Sequence, residues 1–200
     1  MLFSIICLAN LNSIKMMSKK EISIIIAIVS GIIISRLLPH APNFTAAIAG
    51  FIFGGVVLKQ IKFGSILLIC YFFADLLLNN FILNPFSGTM IWFKLSSLWI
   101  YVPLILVFLL SNRFKQLESQ PFKIINMSLL SSMLFFLISN FGVWTVDTLY
   151  AKDLMGLLTC YWAAIPCCGN EIAGTLFYTS LYFGVYWLNE SYSKTRSVRL

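Results

Sequence analysis

Long uncharged runs of apolar residues recur along the whole chain. More than any other feature, they limit the folds that the chain can adopt. Ile172 to Asn189, for example, contains no charged residue over eighteen positions. A helix of about 20 apolar residues crosses the hydrocarbon core of a bilayer. The chain of 200 residues is 60% hydrophobic and only 10% charged, which is unlike a water-soluble domain. The sequence therefore predicts an all-α integral membrane protein.

The apolar runs and the breaks between them predict a bundle of six transmembrane helices. Proline lacks an amide donor and restricts the residue before it, so Pro39 and Pro42 end the first span. The second span is short and rich in glycine, and we expect it to be closely packed inside the bundle. The predicted spans are residues 22–38, 45–58, 63–83, 95–110, 124–140 and 172–189.

Residues 154–168 form a further apolar run, which contains Pro166 just before its end. A single helix from this run to the end of the last span would be longer than the bilayer is thick. A seventh span would move the basic C-terminal tail to the outer side. We therefore expect residues 154–168 to form a separate short helix on the outer side.

The distribution of positive charge predicts the orientation of the bundle. With six spans and the N-terminus inside, eleven of the fourteen Lys and Arg residues lie on the inner side. Cytoplasmic loops carry such an excess, so both termini are expected in the cytoplasm of a bacterium, with the bundle in its inner membrane. We expect residues 1–20 to be a cytoplasmic stub or a start-site extension, residues 21–190 to be the six-helix domain, and residues 191–200 to be a basic cytoplasmic tail.

Polar residues lie close together on the predicted outer side. Burying such residues between apolar helices costs several kcal/mol unless they are paired or hydrated. The turn R-L-L-P-H-A-P-N-F-T (Arg36–Thr45) joins the first two spans, and Asp75 lies about twelve residues into the third. We expect Arg36 and Asp75 to form an ion pair, which either only joins two helices or also flanks a solute. The candidate solute-binding residues are Arg36, His40, Asn43, Asp75, Asn79, Asn140, Trp144, Tyr161, Asn170 and Glu171.

Three members of this set have competing interpretations. Asn43 is better placed to cap the second helix than to contact a ligand. His40 is expected to be solvated, with a proton-sensitive role as the alternative. Trp144, like Trp99, suits an interfacial anchor, although its position near Asn140 also suits stacking on a ligand.

Small residues recur at every fourth position of the first span and form one smooth ridge. Such a ridge lets another helix approach closely, either within the bundle or from a partner protein. The candidate residues for this partner-helix ridge are Ser23, Ala27, Gly31 and Ser35.

Signatures of enzymes, metal sites and nucleic-acid binding are missing from the sequence. One histidine excludes sites with two histidine ligands, and the five cysteines form no C-x-x-C pair. No G-x-S-x-G, H-E-x-x-H or glycine-rich phosphate loop occurs. The net charge of +7 is spread over loops and tails rather than along one helix. We predict no catalytic residues, no metal, no cofactor and no nucleic-acid partner.

Four segments, in order, resemble the DUF6580 family of bacterial membrane proteins, to which a transport role is attributed. That family is similar in turn to the S components of energy-coupling-factor (ECF) vitamin importers, which are substrate-binding proteins of six helices. The segments are R-L-L-P-H-A-P-N-F-T (Arg36–Thr45), A-D-L-L-L (Ala74–Leu78), S-N-F-G-V-W (Ser139–Trp144) and G-L-L-T-C-Y-W-A-A-I-P (Gly156–Pro166), continued by L-F-Y-T (Leu176–Thr179).

The resemblance implies an S-component-like bundle with a small molecule bound at its outer face. It also implies ECF-type transmembrane and ATPase subunits as partners, with the small-residue ridge of the first span against the transmembrane subunit. We therefore expect a substrate-binding subunit for uptake of a small solute or vitamin-like molecule. The alternative is a non-transport membrane scaffold or assembly protein, whose polar residues only hold the bundle together.

Overall fold

The computed structural model describes residues 17–83, 92, 95–114 and 119–198, and these residues form six α-helices without any strand. The prediction of an all-α fold with six helices is confirmed for these ranges. Leu78–Leu83 continue α3 as a π-helix, and Leu95–Ser97 form a 3-10 turn before α4. The helices are α1 (Lys19–Leu37), α2 (Ala47–Leu58), α3 (Ile61–Leu77), α4 (Leu98–Arg113), α5 (Pro121–Val146) and α6 (Leu154–Val198).

Parts of the predicted organisation lie outside the described residues. They are residues 1–16 of the predicted N-terminal stub, most of the loop from Asn84 to Lys94, and the last two residues of the basic tail. Residues 19 and 20, which we assigned to the stub, already belong to α1. Ser18 explains this start, because its hydroxyl accepts from the Glu21 amide while Glu21 accepts from the Ser18 amide.

Within the part of the chain that the structure describes, three helical segments are long and apolar enough to cross a membrane, by length and composition alone. They are Ile61–Phe81, Leu95–Arg113 and Pro121–Val146. On α3, the side chains of Ile69, Phe73 and Leu77 are each more than half exposed and follow one another at every fourth position. A contiguous apolar face of this kind is typical of contact with lipid or with another protein.

Helix α2 forms the centre of the bundle. Eleven of its 12 residues are buried, and it contacts each of the other five α-helices. Its glycines allow this approach: a Cβ atom on Gly55 would lie 2.6 Å from the Phe108 carbonyl oxygen of α4. The expectation that the short glycine-rich helix lies inside the bundle is confirmed.

The turn between α1 and α2 is anchored by Ser35, and the prediction that Asn43 caps α2 is wrong. The Ser35 hydroxyl accepts a hydrogen bond from the Ala46 amide at 3.0 Å and donates one to the Ile32 carbonyl at 2.9 Å. Asn43 instead adopts a left-handed conformation, with φ of 65°, in which the chain reverses. Asparagine tolerates this conformation well, so the helix begins only at Ala47, with Ala46 as its N-cap.

The last helix departs most from the predicted topology. Residues 154–198 form one α-helix of 45 residues, about 68 Å long, so the prediction of a separate helix at 154–168 is wrong. Bilayer thickness limits only the part of a helix that lies in hydrocarbon, and the ends can project beyond it. Pro166 removes one backbone donor, but contacts with α5 hold the segment before it: the Tyr161 hydroxyl donates to the Leu137 carbonyl at 2.6 Å, and its ring packs on Phe136.

Candidate functional site

A cavity of about 820 Å³ lies among the end of α1, the α1–α2 turn, the start of α2 and helices α3 to α6. Its volume is in the range of sites that bind small molecules. The polar part of its wall brings together residues that are far apart in the chain. It includes Arg36, His40 and Asn43 from the end of α1 and the turn, Ser139 and Asn140 from α5, and Glu171 from α6.

An ion pair between Arg36 and Asp75 joins α1 to α3 beside this cavity. Arg36 Nη1 lies 2.7 Å from Asp75 Oδ1, and the two side chains are 19% and 18% exposed. The Tyr101 hydroxyl of α4 donates to Asp75 Oδ2 at 3.4 Å, and the guanidinium lies over the Tyr71 ring at 5.8 Å. The predicted ion pair is confirmed. The two charges of the pair neutralise each other within the protein. Arg36 lines the cavity, whereas Asp75 does not.

Glu171 differs from Arg36, because the described residues do not compensate its charge. The residue is 4% exposed and lines the cavity, and its Oε1 atom has no hydrogen-bond partner. Thr175 follows one turn later on the same helix, is 1% exposed, and also has a hydroxyl without a partner. A buried carboxylate of this kind is energetically costly unless something pairs with it.

Small hydroxyl side chains continue from Glu171 along the contact between α5 and α6. The Ser128 hydroxyl lies 3.3 Å from the Thr179 hydroxyl, so these two residues lie opposite each other on the antiparallel helices. The Ser131 and Ser132 hydroxyls, one turn along α5, have no hydrogen-bond partner. We call this row the α5–α6 polar seam, and its members are Ser128, Ser131, Ser132, Glu171, Thr175 and Thr179.

Five of the ten predicted solute-binding residues line this one cavity, namely Arg36, His40, Asn43, Asn140 and Glu171. His40 is exposed, and its Nδ1 donates to the Leu38 carbonyl at 2.5 Å. Asn140 donates to the Phe136 carbonyl at 2.8 Å, within its own helix. Asp75 reaches the cavity only through Arg36.

The other four predicted residues lie away from the cavity wall. Trp144 donates its indole N–H to the Ala151 carbonyl at 2.8 Å, so it holds the α5–α6 connection. Tyr161 packs against α5, as described above, and burial raises the pKa of its hydroxyl. Asn79 belongs to the π-helical continuation of α3, and Asn170 precedes Glu171 on α6.

Some residues of the site escaped the sequence reasoning. Trp99, interpreted as an interfacial anchor, lines the cavity and packs directly on Gly142 of α5, where a Cβ atom would collide with the indole. No pattern in the sequence signals this fit, since it depends on how α4 crosses α5. The Ser131 and Ser132 hydroxyls were detectable, because with Ser128 they repeat at helical spacing on one face of α5.

The small-residue ridge of α1 is divided between the interior and the surface. Ser35 is buried, and Gly31 packs against Tyr182 of α6, whose hydroxyl donates to the Ile28 carbonyl at 3.2 Å. Ser23 and Ala27 are exposed. The C-terminal half of the ridge therefore serves packing within the bundle, and only the N-terminal half faces outward.

The described ranges contain no group of three or more His, Cys, Asp or Glu residues that could hold a metal ion. Cys160, which is buried, donates its thiol to the Asn140 carbonyl at 3.5 Å, and burial raises the pKa of this thiol. A raised pKa keeps the thiol protonated and weakly nucleophilic. The site is therefore one of hydrogen-bonding and charged groups around a cavity.

Comparison with known proteins yields one match, to a family model. That model carries the description "Family of unknown function (DUF6580)" and matches residues 16–197. No curated protein and no solved structure matches the chain.

Proposed function

The chain belongs to the DUF6580 family, and on that premise we propose that it is a membrane protein that binds a small solute for transport. Its role would be that of the substrate-binding subunit of an ECF-type importer. The solute would be of the size of a vitamin or similar metabolite. The cavity is the observation that carries this proposal.

The cavity has the character of a solute-binding site in three respects. Its volume, about 820 Å³, suits a small organic molecule. Arg36, Asn140 and Glu171 reach its wall from three different helices, so a ligand would contact groups that only the folded bundle brings together. Ionisable residues between apolar helices often mark the path of a substrate or ion.

The proposed topology places this cavity at the outer face of a bacterial inner membrane. The six helices would form a transmembrane bundle, in which the 12-residue α2 is enclosed by the other helices. Both termini would lie in the cytoplasm, as the excess of Lys and Arg in the inner segments favours. α6 would project beyond the outer surface through its N-terminal third. ECF-type transmembrane and ATPase subunits would be the partners, and the exposed Ser23 and Ala27 would lie where the transmembrane subunit approaches.

The second candidate function is that of a membrane scaffold or assembly protein. The Arg36–Asp75 pair favours it, because the two charges neutralise each other, and the Tyr101 hydroxyl donates to Asp75, without any ligand. In that case the polar cluster serves stability, and the cavity stays without an organic occupant.

Native mass spectrometry of the protein, purified in mild detergent from its own host, tests the proposal. We expect a co-purifying small molecule, and we expect Asn140→Ala to lose it, since Asn140 lines the cavity. Asn126→Ala is the matched control: the same substitution on the same helix, at an exposed position. Thermal unfolding of each variant shows whether the fold is intact.

The two functions give opposite results in this experiment. Loss of the molecule from Asn140→Ala alone, at an unchanged melting temperature, supports a solute-binding subunit. A protein that carries no small molecule, or that retains it equally in both variants, contradicts the proposal. An empty protein whose melting temperature falls on Asn140→Ala favours the scaffold.

A further inference from the structure

The charges on the cavity wall do not balance, and the imbalance lies at Glu171. Arg36 is paired with Asp75 at 2.7 Å. Asp147 is exposed to solvent, and its Oδ1 atom accepts from the Leu149 amide at 2.9 Å. Glu171 is 4% exposed, and its Oε1 atom has no hydrogen-bond partner among the described residues. Glu171 is therefore a buried acid on the cavity wall whose ionised form would have no partner among the described protein groups.

The surroundings of this carboxylate supply further oxygen atoms on hydroxyl groups, which can accept hydrogen bonds or coordinate a cation. Thr175 lies one helical turn from Glu171 on the same face of α6. The Ser128–Thr179 contact, at 3.3 Å, shows the register of α5 against α6. One turn from that contact, toward the cavity, the antiparallel helices bring the Ser131 and Ser132 segment opposite Thr175. The hydroxyl oxygens of Ser131, Ser132 and Thr175 are all buried and without a partner.

A positively charged group would pair with both the Glu171 carboxylate and the unpartnered hydroxyl oxygens. It neutralises the carboxylate, and it offers either hydrogen-bond donors or a coordination centre to the neighbouring hydroxyl oxygens. An anion would be repelled by the carboxylate. A neutral apolar group would leave the acceptors unpaired.

We propose that Glu171, with the neighbouring hydroxyls of the α5–α6 polar seam, binds a single positive charge where this seam meets the cavity. The charge is carried either by an ammonium group of the solute or by an alkali metal ion, since both suit carboxylate and hydroxyl oxygens. The ammonium source rests on the function proposed above, while the alkali ion does not. Glu171 then sets the charge of what the cavity accepts.

Thermal unfolding of the purified protein in detergent, at constant ionic strength, tests this inference. The probes are sodium chloride, potassium chloride and methylammonium chloride, each exchanged against tetraethylammonium chloride, whose cation is much larger. A cation that binds only the folded protein raises the melting temperature as its concentration rises. We expect a rise of several degrees for at least one of the three small cations.

The decisive variant is Glu171→Gln, which removes the charge but keeps the size of the side chain. It should fold, because it relieves an unpaired buried carboxylate, and it should lose the response to the cation. The matched control is Glu190→Gln, the same substitution on the same helix. Glu190 lies in an exposed ion pair with Lys20, at 2.6 Å, so this variant should keep the response.

The pattern of responses identifies the source of the charge. A response to sodium or potassium that Glu171→Gln abolishes indicates an alkali ion, and a response to methylammonium alone indicates a solute with an amine. No response in the wild-type protein, or a response that survives in Glu171→Gln, overturns the inference.

This inference and the proposed function can fail separately. A co-purifying solute without an amine, bound equally by Glu171→Gln, refutes the cation site if the alkali ions also have no effect, but leaves solute binding intact. An alkali response in a protein that carries no solute supports the cation site and contradicts the proposed function.

Discussion

Replacement of Asp75 by asparagine tests the energetics of the Arg36–Asp75 pair. The ion pair is short, at 2.7 Å, and both side chains are about four-fifths buried, since their exposures are 19% and 18%. Breaking a buried pair from one side costs about 3–5 kcal/mol, because the other charge stays buried and unpaired. We expect about 3 kcal/mol here, since the remaining exposure lets water reach part of the guanidinium.

The assay is thermal unfolding in detergent. For a chain of this size, a loss of 1 kcal/mol lowers the melting temperature by about 2–4 °C, so Asp75→Asn should lower it by roughly 6–12 °C. Asp147→Asn is the matched control, because Asp147 is an exposed acid on the wall of the same cavity. A change at such a surface position stays within about 0.5 kcal/mol.

A double substitution separates the pair from its two members. Arg36→Gln combined with Asp75→Asn removes both charges and should recover much of the stability lost by Asp75→Asn. The reasoning is refuted if Asp75→Asn unfolds at the same temperature as Asp147→Asn. It is also refuted if the two substitutions act independently, so that the stability lost by the double variant equals the sum of the losses in Arg36→Gln and Asp75→Asn.

Two further predictions concern the packing of α2. Gly55→Ala should lower stability by about 1–3 kcal/mol, because its Cβ atom would lie 2.6 Å from the Phe108 carbonyl oxygen. Gly184→Ala is the control on α6, where a Cβ atom meets nothing within 4 Å, and it should raise stability by about 0.5–1 kcal/mol. Equal shifts in melting temperature for Gly55→Ala and Gly184→Ala would contradict this reasoning. Ser35→Ala should lower the free energy of unfolding by about 1 kcal/mol, since the Ser35 hydroxyl accepts from the amide of Ala46, the N-cap of α2, at 3.0 Å. The exposed Ser30→Ala is its control in the same unfolding assay, and a loss as large there would argue against the cap.

The elements that the sequence predicts correctly depend on local composition. The apolar runs mark all six helices, and the glycines of α2 mark a helix packed closely inside the bundle. The Arg36–Asp75 pair was predictable because opposite charges at comparable depth in apolar helices seek each other. These inferences need only the order of residues and the energetic cost of leaving polar groups unpaired.

The errors arise where tertiary contacts outweigh local signals. Pro166 and the bilayer thickness argued for a break, yet Tyr161 and its neighbours on α5 hold one continuous helix. Asn43 is a favourable cap by residue type, but the turn places it in a left-handed conformation, and Ser35 binds the amide at the start of α2 instead. Neither outcome is visible without the position of a second helix.

Composition and residue order are enough to predict an all-helical fold, the six apolar helices found in the described residues, and polar groups concentrated near one set of turns. Hydrophobic composition and the need of each backbone group for a partner are enough to decide that much. Which of those polar groups share a cavity, and which of them are paired, becomes known only from the way the helices pack. Whether a buried group such as Glu171 lacks a partner depends on the register of α5 against α6, and the packing of whole helices sets that register.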